Sequence, residues 1–272
     1  MRITVQAWAW RTPLGRGREA LERLRRGEVA SRSADRCGIS LLAEIPEETP
    51  RLPESRYLHR AGLFALEVAR EVGVGGERAG VFAGIGGLRA LWEDLGVAMR
   101  DQRGGPPWAE GLGKVHPYWM LRHLSNNAHA LIAQSLGAKG EGTTVSGPTG
   151  GAGALAAAIR ALQTGRLEVA TVVAADSLLQ PELLLEGAVT GRWASSFPAE
   201  AAIAVRLGVG DGPAVGVRGG VEVVPGDDAV VRAMGDMGAA TALAQLVWLV
   251  ESGGGVAISG GAPGLGARVE VS

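Results

Sequence analysis

Residues 143–154 read TTVSGPTGGAGA, a short strand running into a glycine-rich bend and then into a chain of small residues. A strand that turns sharply into a helix lifts one side chain onto the helix N-terminus, where backbone N–H groups can stabilise a thiolate or an oxyanion. At this bend stand glycine, proline and threonine, so the pedestal is built but carries no obvious nucleophile. Cys37 is the only cysteine, which excludes an internal disulfide and a thiolate-rich metal site. It lies in the polar segment SADRCGIS, away from any elbow, and reads as an incidental surface or half-buried thiol. His59, His116, His123 and His129 are dispersed, none at metal-ligand spacing to an acid, and read as structural or surface residues. No metal and no cofactor are expected. The glycines of 147–153 are not followed by Gly-Lys-Ser/Thr, and Arg160 lies well along the next helix, so a nucleotide cradle is not indicated.

The elements that must hold this bend follow from hydrophobic periodicity. Residues 3–10 alternate like a strand and end at the turn Thr12-Pro13-Leu14-Gly15, and 18–26 carry helical spacing through Leu21 and Leu24. The polar, proline-containing stretch 31–51 reads as a loop. Residues 55–72 place Leu58, Ala61, Ala65, Val68 and Val72 on one helical repeat, and 80–84 form a short buried strand. Helices are expected over 88–99 and 116–136, separated by a break at 101–107; Pro117 suits a first helical turn, where its missing N–H would be unpaired anyway. A strand at 143–145, a small-residue helix over 150–163 and an apolar strand over 168–175 come next. Strands at 201–207 and 214–224, a helix over 234–250, and strands at 256–259 and 267–271 complete the chain. Near-continuous apolar strands alternating with helices indicate an α/β protein whose sheet is covered on both faces. The two small-residue helices suggest a duplicated architecture with a shortened second copy.

Composition narrows the function classes. With 272 residues, 46% hydrophobic and 20% charged, the chain can bury a large core. A formal net charge of -1 with arginine scattered among glutamate argues against nucleic acid as a partner. No apolar run is long enough to span a bilayer, the first residues lack a signal-peptide pattern, and the cytoplasm is expected.

The order of these motifs resembles the beta-ketoacyl synthase family of the thiolase fold from one end of the chain to the other. VQAWAWRTPLG at 5–15 resembles the family's first strand and its TPLG turn. Ser125-Asn126-Asn127-Ala128 and Gly137-Ala138-Lys139-Gly140 resemble the helix and turn before the nucleophile. Val145-Ser146 and the following bend resemble the VSTAC segment, which puts Thr149 where the family has its acyl-accepting cysteine. Val221-Glu222-Val223-Val224 resembles the strand leading to the first catalytic histidine, with Val224 at its place. Gly235-Asp236-Met237-Gly238-Ala239-Ala240 resembles the GHxxGAAG motif of the second, with Asp236 replacing the histidine. The glycine-rich 259–266 resembles the closing loop that supplies an oxyanion-hole amide, and Glu200 in PAEAAI resembles a structural glutamate of GEGA.

What the resemblance implies is a thiolase-like layered αβαβα fold in one domain over 1–272, with an N-terminal half of 1–207 and a truncated C-terminal half of 208–272. With cysteine and both histidines replaced together, the chain resembles chain-length factors, or ketosynthase-beta subunits, in compact form as in aryl polyene-type systems. Such subunits pair with an active ketosynthase in type II polyketide, aryl polyene or fatty-acid-like biosynthesis and shape the acyl tunnel; acyl carrier protein would be met through the complex. The glutamine that often replaces the cysteine is absent, so a decarboxylase role is not carried over. Tyr118, Trp119, Met120, Leu121, His123 and Leu124 match the segment that lines the tunnel at the interface, or else pack the core. Thr143, Thr144, Val145 and Ser146 match the strand that pairs across the dimer. The shortened second half should leave apolar surface for a partner to cover. Two alternatives stand beside this reading. One is an acyltransferase or malonyl-thioester decarboxylase using Thr149, with Asp236 as its partner; an alcohol and a branched Cβ make Thr149 a poor nucleophile without a strong base. The other is a homodimeric scaffold that binds acyl carrier protein.

Overall fold

A computed structural model of the chain describes residues 2–86, 112–221, 228–259 and 266–272. Eleven strands occur among them: β1 Ile3–Thr12, β2 Gly15–Arg16, β3 Arg32–Arg36, β4 Ile39–Leu42, β5 Ala79–Ile85, β6 Thr143–Ser146, β7 Val169–Ser177, β8 Glu200–Val209, β9 Val215–Val221, β10 Gly255–Ser259 and β11 Gly266–Val271. The helices are α1 Gly17–Arg25, α2 Arg60–Val72, α3 Trp119–His123, α4 Ser125–Leu136, α5 Gly150–Gln163, α6 Pro181–Thr190, α7 Ala229–Met234 and α8 Thr241–Glu251. Short 3-10 turns at Pro53–Arg56, Arg192–Ala194 and Gly238–Ala240 link them.

Six strands form the main sheet in the order β2-β1-β8-β7-β5-β6. β5 lies parallel to both β6 and β7, and β8 runs antiparallel between β7 and β1. β7 and β8 are buried almost throughout, because helices cover both faces and every side chain of an apolar run finds a core. Val81, Ala83 and Ile85 point with Val173 and Ala175 into the core under α2 and α4, whereas Phe82, Val172 and Ala174 pack against α5. A second sheet, β10-β11-β9, lies beyond α5 and α8. The described residues thus form four layers: α2 with α4, the six-stranded sheet, α5 with α8, and the small sheet.

Several expectations are corrected. The 31–51 loop contains the β3–β4 hairpin, whose two-residue turn has Cys37 at φ 54 and Gly38 at φ 75. Positive φ at both central residues matches the right-handed twist of paired strands and closes a hairpin that hydrophobicity alone did not announce. The helix expected from 55 begins at Arg60, because His59 caps it: its Nδ1 accepts from the N–H groups of Ala61 and Gly62. The helix expected over 116–136 is two, broken at Leu124, where Asn127 Nδ2 donates to Leu121 O, the carbonyl that Ser125 N–H would have used. The helix expected from 234 begins at Thr241, since Gly235 at φ 84 ends α7 and a 3-10 turn intervenes. Neither α6 nor α7 was anticipated; Asp228 caps α7 by accepting from Val230 and Val231. The 88–99 helix, the 101–107 break, Val224 and the core of the 259–266 loop lie outside the described residues.

The outward side chains described in the small sheet are mostly polar. Along β11, Ala267, Val269 and Val271 turn inward, while Arg268 and Glu270 point out and form an ion pair at 2.6 Å. Val256 on β10 is the one exposed large apolar side chain among the described outward positions of this sheet. Among the described residues, no helix is long and apolar enough to cross a membrane.

Candidate functional site

β6 delivers the chain to the bend, and Thr149 sits at the N-cap of α5 with φ -101 and ψ 14, half-buried. Its side chain makes no capping hydrogen bond, so the hydroxyl is not committed to the helix. Gly147 turns the corner at φ 98, a conformation that costs an L side chain about 1–2 kcal/mol, and its carbonyl accepts from Gly150 N–H at 2.9 Å. The glycines after it answer to space. A Cβ on Gly84 of β5 would lie 2.4 Å from Gly150 C and Gly151 N, and one on Gly151 would lie 2.3 Å from Ala239 O. The first turn of α5 is therefore wedged between β5 and the 3-10 turn Gly238–Ala240. That close approach accounts for the small-residue run.

Asp236 lies just before this turn, whose Ala239 packs against Gly151 at the mouth of α5. Its carboxylate is fully engaged. Arg192 donates to Asp236 Oδ2 from Nε at 2.9 Å and Nη2 at 2.7 Å, and Gly238 N–H donates to Oδ1 at 2.9 Å. Three donors on the carboxylate fix its orientation between Arg192 and the 238–240 turn. Arg192, on a 3-10 turn after α6, also lies over the Trp193 ring at 5.0 Å from its centroid.

A second acid, missed in the sequence, fixes the same turn. Asp176, at the end of β7, is 2% exposed; its Oδ2 accepts from Ala239 N–H at 3.0 Å and its Oδ1 from Ser177 N–H at 2.8 Å. Gly86 and Gly238 press against it so closely that a Cβ on either would fall within 2.2 Å of a carboxylate oxygen. A lone acid closing the apolar run VATVVAAD was the available signal.

The segment matched to the tunnel lies beside the bend. Ser125 Oγ, at the start of α4, is 2.8 Å from Ser146 Oγ, the last residue of β6. Tyr118, Met120 and Leu121 are exposed, Trp119 and Leu124 are half-buried, and His123 is buried. Trp119 Nε1 is shut from solvent without a hydrogen-bond partner among the described residues. His123 stacks on His59 at 5.4 Å between ring centroids, so it belongs to the packing of α2 against α3. His129 Nε2 donates to Val81 O at 3.0 Å, and burial pushes its imidazole below the ordinary value while that carbonyl pulls the other way. Cys37 is exposed, and Glu200 is buried, its Oε1 accepting from Ile45 N–H and Arg60. The four residues Thr143, Thr144, Val145 and Ser146 form the outermost strand of the main sheet, half-buried to exposed, paired on one side with β5.

Comparison with known proteins agrees with this geometry. The profile of the beta-ketoacyl synthase N-terminal domain matches residues 46–217. The ishigamide ketosynthase/chain length factor superposes with a TM-score of 0.74 at 17% identity, over 100% of this chain and 99% of that one. A type II polyketide synthase acyl-carrier protein in complex with its ketosynthase bound to the hexaketide gives 0.73 at 12% identity, over 100% and 99%. The oxazolomycin ketosynthase domain from Streptomyces albus gives 0.74 at 13% identity, over 99% of this chain and 73% of that one. At these identities the structures show a shared thiolase-like ketosynthase fold. No curated protein matches the sequence.

Proposed function

Because the chain belongs to the beta-ketoacyl synthase family, we propose that it is a catalytically silent, chain-length-factor-like subunit. In this reading it heterodimerises with an active ketosynthase, in the cytoplasm, and shapes the acyl tunnel in type II polyketide, aryl polyene or fatty-acid-like biosynthesis. One observation carries the reading: the elbow is intact, while its capping position holds Thr149, and Asp236, which stands where the second motif has its histidine, is tied up by Arg192. Thiol chemistry has no sulfur there, and the carboxylate that would have to activate Thr149 already accepts three hydrogen bonds. The acyltransferase or decarboxylase alternative is therefore disfavoured on geometry.

The dimer contact in this proposal is β6. Pairing along its open side would satisfy edge N–H and C=O groups and continue the sheet into the partner. That places Ser146, and through it Ser125 and α3, against the partner, where Tyr118, Trp119, Met120, Leu121, His123 and Leu124 would bound the acyl chain. The presence of a ketosynthase/chain length factor and of a ketosynthase with its acyl-carrier protein among the structural relatives supports such an assembly. Acyl carrier protein is accordingly proposed as a partner of the complex.

Co-expression with a synthase that retains cysteine and both histidines, followed by size exclusion and intact-mass analysis after exposure to malonyl and acyl thioesters, tests this. A stable complex with acyl adducts on the synthase alone is expected. A homodimer indifferent to the synthase, or an adduct on Thr149, would refute it.

A further inference from the structure

A cavity of about 510 Å³ opens on the α2 side of the molecule, between the β3–β4 hairpin, the residues that follow it, the N-terminus of α2 and the start of α6. Its charges are unevenly settled. Glu200 and Arg60 satisfy one another, and Arg60 spends its remaining donors on Thr49 Oγ1 and the carbonyls of Ile45 and Glu47. At the hairpin end, Arg32 and Arg36 share the single carboxylate of Glu44, which leaves one positive charge uncompensated. Elsewhere in the lining, Glu47 and Glu48 have no ion-pair partner among the described residues. Glu47 Oε2 and Gln180 Oε1 are both shut from solvent without a hydrogen bond. An acceptor left unpaired in this way lowers stability until a donor meets it. The terminal torsions of Glu and Gln are broad and two-fold, so either oxygen can turn into the cavity at little cost.

We propose that this cavity is a binding site for a small zwitterion. Its ammonium group is received by Glu47 and Gln180, and its carboxylate is received by Arg32 and Arg36. The lining supplies unpaired acceptors and, in Arg32 and Arg36, two guanidinium groups sharing one carboxylate, so a ligand of a single charge leaves part of the site unsatisfied. The volume suits a small molecule and no macromolecule. The inference is independent of the chain-length-factor reading, since it uses neither the elbow nor β6.

The test is calorimetry and saturation-transfer NMR on the full chain with a series of ω-amino acids from glycine to 6-aminohexanoate, and with n-butylamine and butyrate as single-ended probes. Binding with a Kd of about 1 mM or tighter at a preferred chain length is expected, with each single-ended probe at least about tenfold weaker. Glu47→Gln should weaken the amino acid about tenfold without changing butyrate, and Arg36→Gln should weaken it about tenfold without changing butylamine. Thermal melts of both variants separate lost binding from lost folding, and the chain-length preference of the unmodified protein stands without them. The proposal is overturned if no amino acid binds, so that the cavity holds water only, if butyrate or butylamine binds as well as the best amino acid, or if folded Glu47→Gln binds unchanged.

Discussion

Replacing Gly84 with alanine probes the wedge that seats α5. The new Cβ would stand 2.4 Å from Gly150 C and Gly151 N and 2.5 Å from Gly151 Cα. Ordinary contact begins near 3.4 Å, so the strand and the helix mouth must separate by roughly 1 Å. The obstructing atoms are backbone and cannot rotate away, and the far side of the helix mouth is closed by Ala239 O against Gly151. Overpacking of a closed site costs about 1–3 kcal/mol, and with no flexible side chain to yield, the upper end, about 3 kcal/mol, is expected. Urea unfolding followed by tryptophan fluorescence measures it, with Gly113→Ala as the control, because a Cβ there meets nothing within 4 Å. A Gly84→Ala protein within about 0.5 kcal/mol of the unmodified chain would refute the close approach on which the account of the elbow rests.

Other outcomes follow from the same geometry. Asp236→Asn or Arg192→Ala should each cost about 2 kcal/mol, because each leaves a partly buried charge or donor without its partner; equal stability by urea midpoint would show the pair to be idle. His129 should make stability fall with acid. Its folded value lies below the ordinary 6.5, so the unfolded chain takes up a proton that the folded chain refuses; the contribution is whole above pH 6.5 and is lost as pH drops toward the lowered value. His129→Gln should flatten that part of the urea midpoint against pH curve relative to the unmodified chain. Thr149→Cys should be alkylated by iodoacetamide yet form no ketoacyl product, since Asp236 remains held by Arg192; product from the purified variant would contradict the silent-subunit proposal. In a complex with an active synthase, Trp119→Ala should lengthen the product without abolishing turnover, and unchanged length by mass spectrometry would remove Trp119 from the tunnel.

The parts of the fold legible in the sequence are those that periodicity and glycine spacing control. The helix over 150–163 and the strands around it were readable because small residues and apolar runs have no other good use there. What escaped depends on single polar groups acting across the fold. Asn127 breaks a helix by taking one carbonyl, His59 delays another by capping it, and neither changes the apolar pattern. At the site, glycine and alanine spacing marks the segments that carry Thr149 and Asp236, and the structure shows the first at the N-cap of α5 and the second before the 238–240 turn. Arg192 and Asp176 were not found, since their partners lie 44 and 63 residues away along the chain and no local spacing encodes such pairs.

The hairpin turn has a practical consequence. Its tip carries the protein's sole thiol, exposed, in a backbone conformation that glycine would occupy more comfortably, and the strand leading to it supplies Arg32 and Arg36 to the wall of the cavity proposed for a zwitterion. A fluorophore attached at Cys37, next to Arg36, would therefore report occupancy of that cavity, with no other sulfhydryl to compete for the label.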